Sequence, residues 1–210
     1  AEYSHSYALN LRYKYLSPSQ KLWRLEWSSF YNDLQNRITL AEINSPQFTY
    51  VNIGKFQSIG SSLRASLRTN RIQAQVGFNY TGRYNQLSIE DEIPTFSFTP
   101  EVTGNISYQW SKTTSLSLFY KYQGKLPGFR VDPDGELQTS FIQAYQLLDL
   151  TFRRTFWDER LGVTLGAKNL FNVTNVAAQL ATGVHSGSGT QVAVGTGRNM
   201  FIKLTYQLSK

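Results

Sequence analysis

The fold is decided by the stretch Arg71–Tyr84, RIQAQVGFNYTGRY. Its even positions, from Ile72 to Tyr84, are apolar or aromatic apart from one glycine, and its odd positions carry no apolar side chain larger than glycine. Successive side chains of a β-strand point to opposite faces, so the stretch predicts a two-faced strand of about fourteen residues. No helical period fits it.

The same period of two recurs along the chain and predicts about nine antiparallel strands and no helix. The other eight segments begin near Tyr3, Trp23, Val51, Val102, Leu116, Ala144, Leu161 and Met200. Short turns near 17–20, 68–71, 111–112 and 157–160 alternate with long connections near 32–47, 85–99, 125–140 and 172–196. Hairpins with one plain rim and one elaborated rim are typical of bacterial outer-membrane barrels.

The composition agrees with an antiparallel transmembrane β-barrel. Charged residues make up 17% of the chain, against about 25% in an ordinary soluble domain, and aromatic residues make up 14%. No stretch approaches the roughly 18 apolar residues of a membrane helix. The predicted strands exceed the about five or six residues usual in soluble proteins, and Tyr and Trp gather near their ends, as in interfacial girdles. A soluble carbohydrate-binding sandwich is the alternative fold.

An odd number of strands predicts an incomplete barrel. Single-chain bacterial barrels have an even count, and each unpaired backbone group at an open edge costs several kcal/mol in lipid. We therefore expect residues 1–210 to form one part of a larger barrel domain whose earlier strands lie outside this sequence.

Five motifs carry a family resemblance: residues 30–38 (FYNDLQNRI), 50–60 (YVNIG and a following glycine), 99–101 (TPE), 161–172 (LGVTLGAKNLFN) and 197–206 (GRNMFIKLTY). Together they resemble the C-terminal part of a TonB-dependent outer-membrane receptor. The resemblance covers the whole chain and implies the last nine strands of a 22-stranded plugged barrel, whose plug and TonB box belong to a region absent here. The chain departs from the family in ending Leu208-Ser209-Lys210, without a terminal aromatic residue.

The resemblance also implies a function. It implies an active transporter in the outer membrane of a Gram-negative bacterium, which captures a scarce nutrient at the cell surface and imports it with energy from TonB. The nutrient would be a siderophore, haem, cobalamin, a glycan or a peptide. The implied partners are lipid and lipopolysaccharide, the remainder of the barrel and its plug, TonB, and a surface lipoprotein. The alternative is a passive porin-like or structural barrel.

The sequence contains no pattern typical of an enzyme, a cofactor site or a metal centre. It has no cysteine and only two histidines, and it lacks a Ser/His/Asp order, a phosphate-binding glycine motif and HExxH. The net charge of +7 comes without a basic run interleaved with aromatics, so nucleic acid is not an expected partner.

Two groups of candidate site residues remain. The predicted outer loops hold Asp132, Asp134, Glu136 and His185 as ligand-binding candidates, although Pro-Asp-Gly is also a turn sequence and a loop histidine is often merely solvated. The polar strand positions predicted to face the lumen and the plug are Arg24, Glu26, Arg64, Arg83, Lys121, Asp149, Arg153, Lys168 and Lys203. Plug docking and lumen solvation are the favoured role of this second group, and contact with an anionic ligand is the alternative. Lys55 and Arg154 fall on the predicted outer face, where a position near a rim would let them reach water or lipopolysaccharide phosphates.

Overall fold

The protein is described by a computed structural model that covers residues 3–44, 47–86, 96–131, 137–180 and 190–208. Within these ranges it forms strands and no helix. The strands are β1 (Tyr3–Leu16), β2 (Leu22–Asn44), β3 (Gln47–Arg68), β4 (Ile72–Gln86), β5 (Ser97–Ser111), β6 (Thr114–Gln123), β7 (Leu126–Val131), β8 (Leu137–Ile142), β9 (Tyr145–Phe156), β10 (Leu161–Lys168), β11 (Asn175–Leu180), β12 (Thr190–Ala193) and β13 (Asn199–Tyr206).

Nine of these strands form one antiparallel sheet in the order β1-β2-β3-β4-β5-β6-β9-β10-β13. Each strand pairs with the next one along this order, so the sheet is a meander of hairpins. Across the described ranges, β1 pairs only with β2 and β13 only with β10, which leaves the sheet open at both edges. The predicted fold class, an all-β segment of about nine spanning strands, is confirmed.

The register gives the sheet two chemically distinct faces, because cross-strand partners lie on the same side of a sheet. One side, here called the apolar face, contains the row Tyr15, Trp23, Leu67, Ala74, Ile106, Leu118, Leu150, Ala167 and Met200. The other side, the polar face, contains the neighbouring row Lys14, Arg24, Ser66, Gln75, Asn105, Phe119 and Asp149. The period of two that predicts the strands therefore also separates the faces.

The apolar face is uncovered. Among the described side chains, the buried apolar ones are only Phe56, Tyr84 and Val176. Large apolar side chains stay exposed, including Met200 at 74% and Trp110 at 73%. Exposed apolar surface on this scale requires a non-aqueous surrounding or a partner, because soluble monomers rarely expose patches above a few hundred Å².

The dimensions suit a bilayer. The strand β1 advances about 40 Å between Tyr3 and Tyr15 at about 3.4 Å per residue, or about 28 Å along the membrane normal at a tilt of about 45°. Aromatic side chains flank the short turns: Tyr15 precedes the turn at 17–21, Trp110 precedes that at 112–113, and Trp157 opens that at 157–160. No helix among the described residues is long and apolar enough to cross a membrane.

The predicted connection at 32–47 is wrong as a loop. The strands β2 and β3 continue as a paired ribbon to Asn44 and Gln47, and the ladder is regular as far as Glu42. The connections near 125–140 and 172–196 also contain strands, because β7, β8, β11 and β12 form a second sheet in the order β12-β11-β8-β7. A single parallel pairing of Glu42 with Arg130 joins this second sheet to β2.

Glycines give aromatic rings room on neighbouring strands. A Cβ at Gly60 would collide with the ring of Phe30, its cross-strand partner, and a Cβ at Gly166 would collide with the ring of Phe201 in the same way. Two motifs that lie far apart in sequence are thus linked physically, since Gly60 follows the YVNIG sequence and Phe30 opens the FYNDLQNRI sequence. The ring covers the backbone that the glycine would otherwise leave bare.

Candidate functional site

All nine residues predicted to face the lumen lie on the polar face. Cross-strand pairs connect the strands from β2 to β13. Following these pairs places each of the nine side chains on the same side of the sheet as Glu26. The predicted common face is therefore present. Its orientation toward a lumen and a plug stays a prediction.

Glu26 is the centre of a charged row across three strands. Its carboxylate accepts from Arg12 Nε at 2.8 Å on β1 and lies 3.6 Å from a terminal guanidinium nitrogen of Arg64 on β3. The side chain of Glu26 is 31% exposed, whereas those of Arg12 and Arg64 are 74% and 58% exposed. One carboxylate thus pairs with two cations that are largely exposed to water, and such exposed ion pairs contribute little stability.

A second charged row crosses β4, β5 and β6. Lys121 Nζ lies 3.0 Å from Glu101 Oε2, and Asn79 Nδ2 donates to Glu101 Oε1 at 2.8 Å. Both ionised side chains are at least two-thirds covered, which makes this pair less solvated than the Glu26 row. Glu101, Arg12 and Lys14 are polar-face residues that the sequence analysis missed. The parity of each strand would have found all three. Arg12 and Lys14 lie opposite Glu26 and Arg24, and Glu101 lies opposite Asn79, one of the polar odd-numbered positions of the stretch 71–84.

Positive charge dominates the polar face. Its described side chains include ten cations and three carboxylates on the nine long strands. The cations are Arg12, Lys14, Arg24, Arg64, Arg68, Arg83, Lys121, Arg153, Lys168 and Lys203, and the carboxylates are Glu26, Glu101 and Asp149. This set carries an excess of seven positive charges, equal to the formal net charge of the entire chain, +7.

Asp149 has a structural role within this face. Its Oδ1 accepts the backbone N–H of Asn169 at 2.8 Å, which ties β9 to the turn after β10. Asn169 has a φ of 52° and exchanges two hydrogen bonds with the backbone of Val173. Asn172, with a φ of 58°, accepts the backbone N–H of Arg198 at 2.9 Å.

The same turn is closed by the Arg198 side chain. Its guanidinium donates to the carbonyl of Leu170 from Nε at 3.2 Å and from a terminal nitrogen at 2.8 Å. Gly197 has a φ of 79°, and a Cβ there would lie 3.1 Å from the Thr174 methyl group. These contacts connect the KNLFN and GRN motifs and fix the two ends of the segment that carries β11 and β12.

The second sheet begins over the polar face. Thr99 Oγ1, on the polar face of β5, donates to the carbonyl of Lys125 at 2.8 Å, and Thr99 is only 5% exposed. Leu126, the first residue of β7, joins Arg83, Glu101 and others in lining a cavity of about 310 Å³. The chain therefore folds over the polar face after β6.

The predicted loop candidates Asp132, Asp134, Glu136 and His185 lie outside the described residues. Over the part of the chain that is described, no three His, Cys, Asp or Glu side chains come together in a way that could hold a metal ion. Lys55 and Arg154 have the parity of the apolar face. Lys55 pairs with Gln86, the last residue of β4, and Arg154 lies two residues before the end of β9. The Arg154 guanidinium stacks 5.1 Å from the ring centre of Phe156.

Residues 1–206 match the family model of the outer membrane protein beta-barrel family. The chain belongs to this family. The outer membrane of a Gram-negative bacterium is therefore its location, as predicted. No curated protein matches the sequence.

Solved structures similar to this outer-membrane barrel chain include an outer-membrane receptor and an iron transporter. The ferripyoverdine receptor of the outer membrane of Pseudomonas aeruginosa, bound to ferripyoverdine, superposes with a TM-score of 0.65 at 16% identity over 98% of this chain and 27% of that one. The FrpB iron transporter from Neisseria meningitidis gives 0.60 at 18% identity over 97% of this chain and 31% of that one. The FpvAI–pyocin S2 complex gives 0.65 at 16% identity with the same coverage as the ferripyoverdine receptor.

This similarity confirms the receptor-barrel fold that the motifs indicate. The chain spans less than a third of the length of the receptors it matches, and the identities are too low to carry more than the fold. The family is one of outer-membrane barrel proteins and not a class of enzymes.

Proposed function

We propose that residues 1–210 are the C-terminal wall of an active outer-membrane transporter, which captures a scarce nutrient at the cell surface and imports it with energy from TonB. In this proposal a plug domain and the earlier strands precede the chain and complete the barrel. TonB acts through that preceding region, the apolar face contacts lipid and lipopolysaccharide, and a surface lipoprotein can cover the long-connection rim.

The observation that carries the proposal is the second sheet at the long-connection end. The four short strands β7, β8, β11 and β12 extend from β2, and the start of β7 lies over the polar face beside Arg83 and Glu101. An elaborated rim that turns inward suits capture of a ligand above a closed interior.

The proposed nutrient is first an iron complex. Two of the similar structures are described as a ferripyoverdine receptor and an iron transporter, so ferric siderophores are the first class to test. Haem, cobalamin, glycans and peptides follow. Asp132, Asp134, Glu136 and His185 are proposed as ligand contacts from the outer connections.

The alternative is a passive porin-like or structural barrel, and uptake measurements separate the two. We expect cells that produce the complete protein to accumulate its ligand only with functional TonB and a proton gradient. Small molecules that co-purify with the complete protein, identified by mass spectrometry, supply the ligand to be tested. Ligand uptake that persists without TonB at the same rate would establish the passive barrel.

A further inference from the structure

Arg154 is a cation on the apolar face. It pairs across the sheet with Thr114 on β6 and with Val163 on β10, and its side chain is exposed. Among the described residues, no carboxylate lies within ion-pair distance of its guanidinium group. An arginine on the outer surface of a barrel is tolerated only near an interface, so the depth of this residue matters.

Arg154 lies one residue pair inside the short-turn rim. The row of the apolar face nearest to the turn 157–160 consists of Phe156, Leu161 and Tyr206. The guanidinium carbon of Arg154 lies 5.1 Å from the ring centre of Phe156, which is two residues closer to the turn, so the side chain leans toward the rim. A basic side chain that leans in this way brings its charge to the depth of the lipid headgroups.

A groove in the apolar face begins directly beside this cation. It has a volume of about 480 Å³, and its lining includes Leu150, Phe152, Leu165, Ala167, Met200 and Ile202. Phe152 lies two positions before Arg154 on β9, so the groove starts on the side of the guanidinium that faces away from the turn. Ala167 is the small residue between Leu150 and Met200 in its row, which leaves the depression. An apolar groove of this size is large enough for a small ligand.

The cation and the groove together match one kind of molecule. A positive group near the rim and an apolar channel that runs away from it complement an amphiphile with a phosphate at one end and an acyl chain at the other. The planar guanidinium group of Arg154 can donate two parallel hydrogen bonds to phosphate oxygens. Thr114, directly opposite on β6, places a hydroxyl donor on the same side of the sheet.

We infer that the apolar face carries a binding site for one glycerophospholipid, whose headgroup phosphate binds Arg154 and whose acyl chain lies in the groove. The inference rests on the proposed function, in which the apolar face contacts lipid. Short turns of outer-membrane barrels face the periplasm, so the bound lipid belongs to the periplasmic leaflet.

Native mass spectrometry of the complete protein, released from detergent micelles, tests this site. The probe is palmitoyl-oleoyl phosphatidylglycerol, added in increasing amounts. We expect one lipid molecule to bind more tightly than all further ones. Arg154→Gln should weaken the binding of this first lipid roughly tenfold, the size of one hydrogen bond to a charged group. Arg154→Lys keeps the charge without the planar group and should weaken it less.

Two further variants separate the groove from general attraction. Ala167→Leu fills the depression while it leaves the guanidinium in place, and it should also weaken the first lipid. Lys55→Gln is the matched control, because Lys55 is a cation of the apolar face that pairs with the last residue of β4. This variant should leave the affinity for the first lipid unchanged.

Four results would overturn the inference. The first is a set of bound lipids that all have the same affinity. The second is an equal loss of affinity for Lys55→Gln and Arg154→Gln, which shows non-specific attraction. The third is displacement of the lipid by glycerophosphoglycerol, its headgroup without acyl chains, at the same concentration, which assigns Arg154 to soluble phosphates. The fourth is a dimer that Ala167→Leu dissociates, which assigns the groove to a second copy of the chain.

Uptake by cells that produce the same variants separates this inference from the proposed function. TonB-dependent uptake together with any of the four results leaves the transporter intact and removes only the lipid site. Uptake that is independent of TonB, together with one tightly bound lipid that Arg154→Gln releases, removes the transporter and leaves the lipid site.

Discussion

Leu150 tests the assignment of the apolar face to lipid. It lies at the middle of β9 between Leu118 on β6 and Ala167 on β10, and 37% of it is exposed. If the apolar face meets lipid, this exposed part contacts acyl chains. Replacing Leu150 with arginine places a guanidinium group at mid-depth, several residues from either end of the strand.

The expected loss of folding free energy depends on how deep in the bilayer the arginine lies. An arginine on the lipid face of a barrel costs about 2–4 kcal/mol at the bilayer midplane, which is roughly a 30- to 700-fold change in the folding equilibrium. Thr151→Arg is the matched control, because Thr151 is the adjacent residue and lies on the polar face opposite Ser117 and Gly166. We expect its effect to stay within about 0.5 kcal/mol.

The assay is reversible unfolding of the complete protein from lipid vesicles by guanidinium chloride, followed by tryptophan fluorescence and by the mobility shift between folded and unfolded barrel on a gel. Leu150→Arg should lower the free energy of unfolding by several times the effect of Thr151→Arg. Equal effects of the two variants, or a larger effect at Thr151, would refute the orientation of the sheet.

Two further substitutions test local packing with the same unfolding assay. Gly166→Val forces a Cβ into the ring of Phe201 and should destabilise the barrel by about 1–3 kcal/mol. Gly104→Ala, whose Cβ would meet no atom closer than 3.9 Å, should be nearly neutral. A larger loss of stability for Gly104→Ala than for Gly166→Val would contradict the packing of the Phe201 ring over Gly166. Asn169→Ala removes two hydrogen bonds to Val173 and places alanine at a φ of 52°, and should lower the free energy of unfolding by about 3 kcal/mol. Asn169→Gly loses the same hydrogen bonds without the backbone strain and should cost about 1 kcal/mol less. Equal losses would show that the backbone conformation contributes nothing.

Alternation of side chains was enough to predict the nine long strands, because each spanning strand must present one face to lipid and one to a polar interior. It failed where the sheet narrows to two strands. Residues 36–44 of β2 and 47–54 of β3 pair with each other beyond the last pairs of β1 and β4, and residues 36–47 carry no regular apolar alternation. Backbone hydrogen bonds between the two strands hold this part together, and such bonds impose no pattern on side-chain polarity.

The candidate site was predictable in part. Parity alone places Arg24, Arg64 and the rest of the predicted set on one face, and the register confirms that placement. The structural role of Asp149 was not predictable, since it depends on the backbone N–H of Asn169, twenty residues away. The hydrogen bond between Asn172 and Arg198 was not predictable either, because it joins the two ends of the segment between β10 and β13, where side-chain periodicity gives no information.

The most direct test of the account is a single-cysteine scan along β4, which the absence of native cysteine in this chain makes possible. In the complete protein without other cysteines, spin labels at residues 73–79 are reconstituted into lipid vesicles, and their collisions with oxygen and with a water-soluble nickel complex are measured. The account predicts a period of two, with oxygen access high and nickel access low at 74, 76 and 78, and low oxygen access at 73, 75, 77 and 79. Nickel access at 74, 76 and 78 equal to that of a water-exposed turn, or no alternation, would contradict a barrel wall whose apolar face meets lipid.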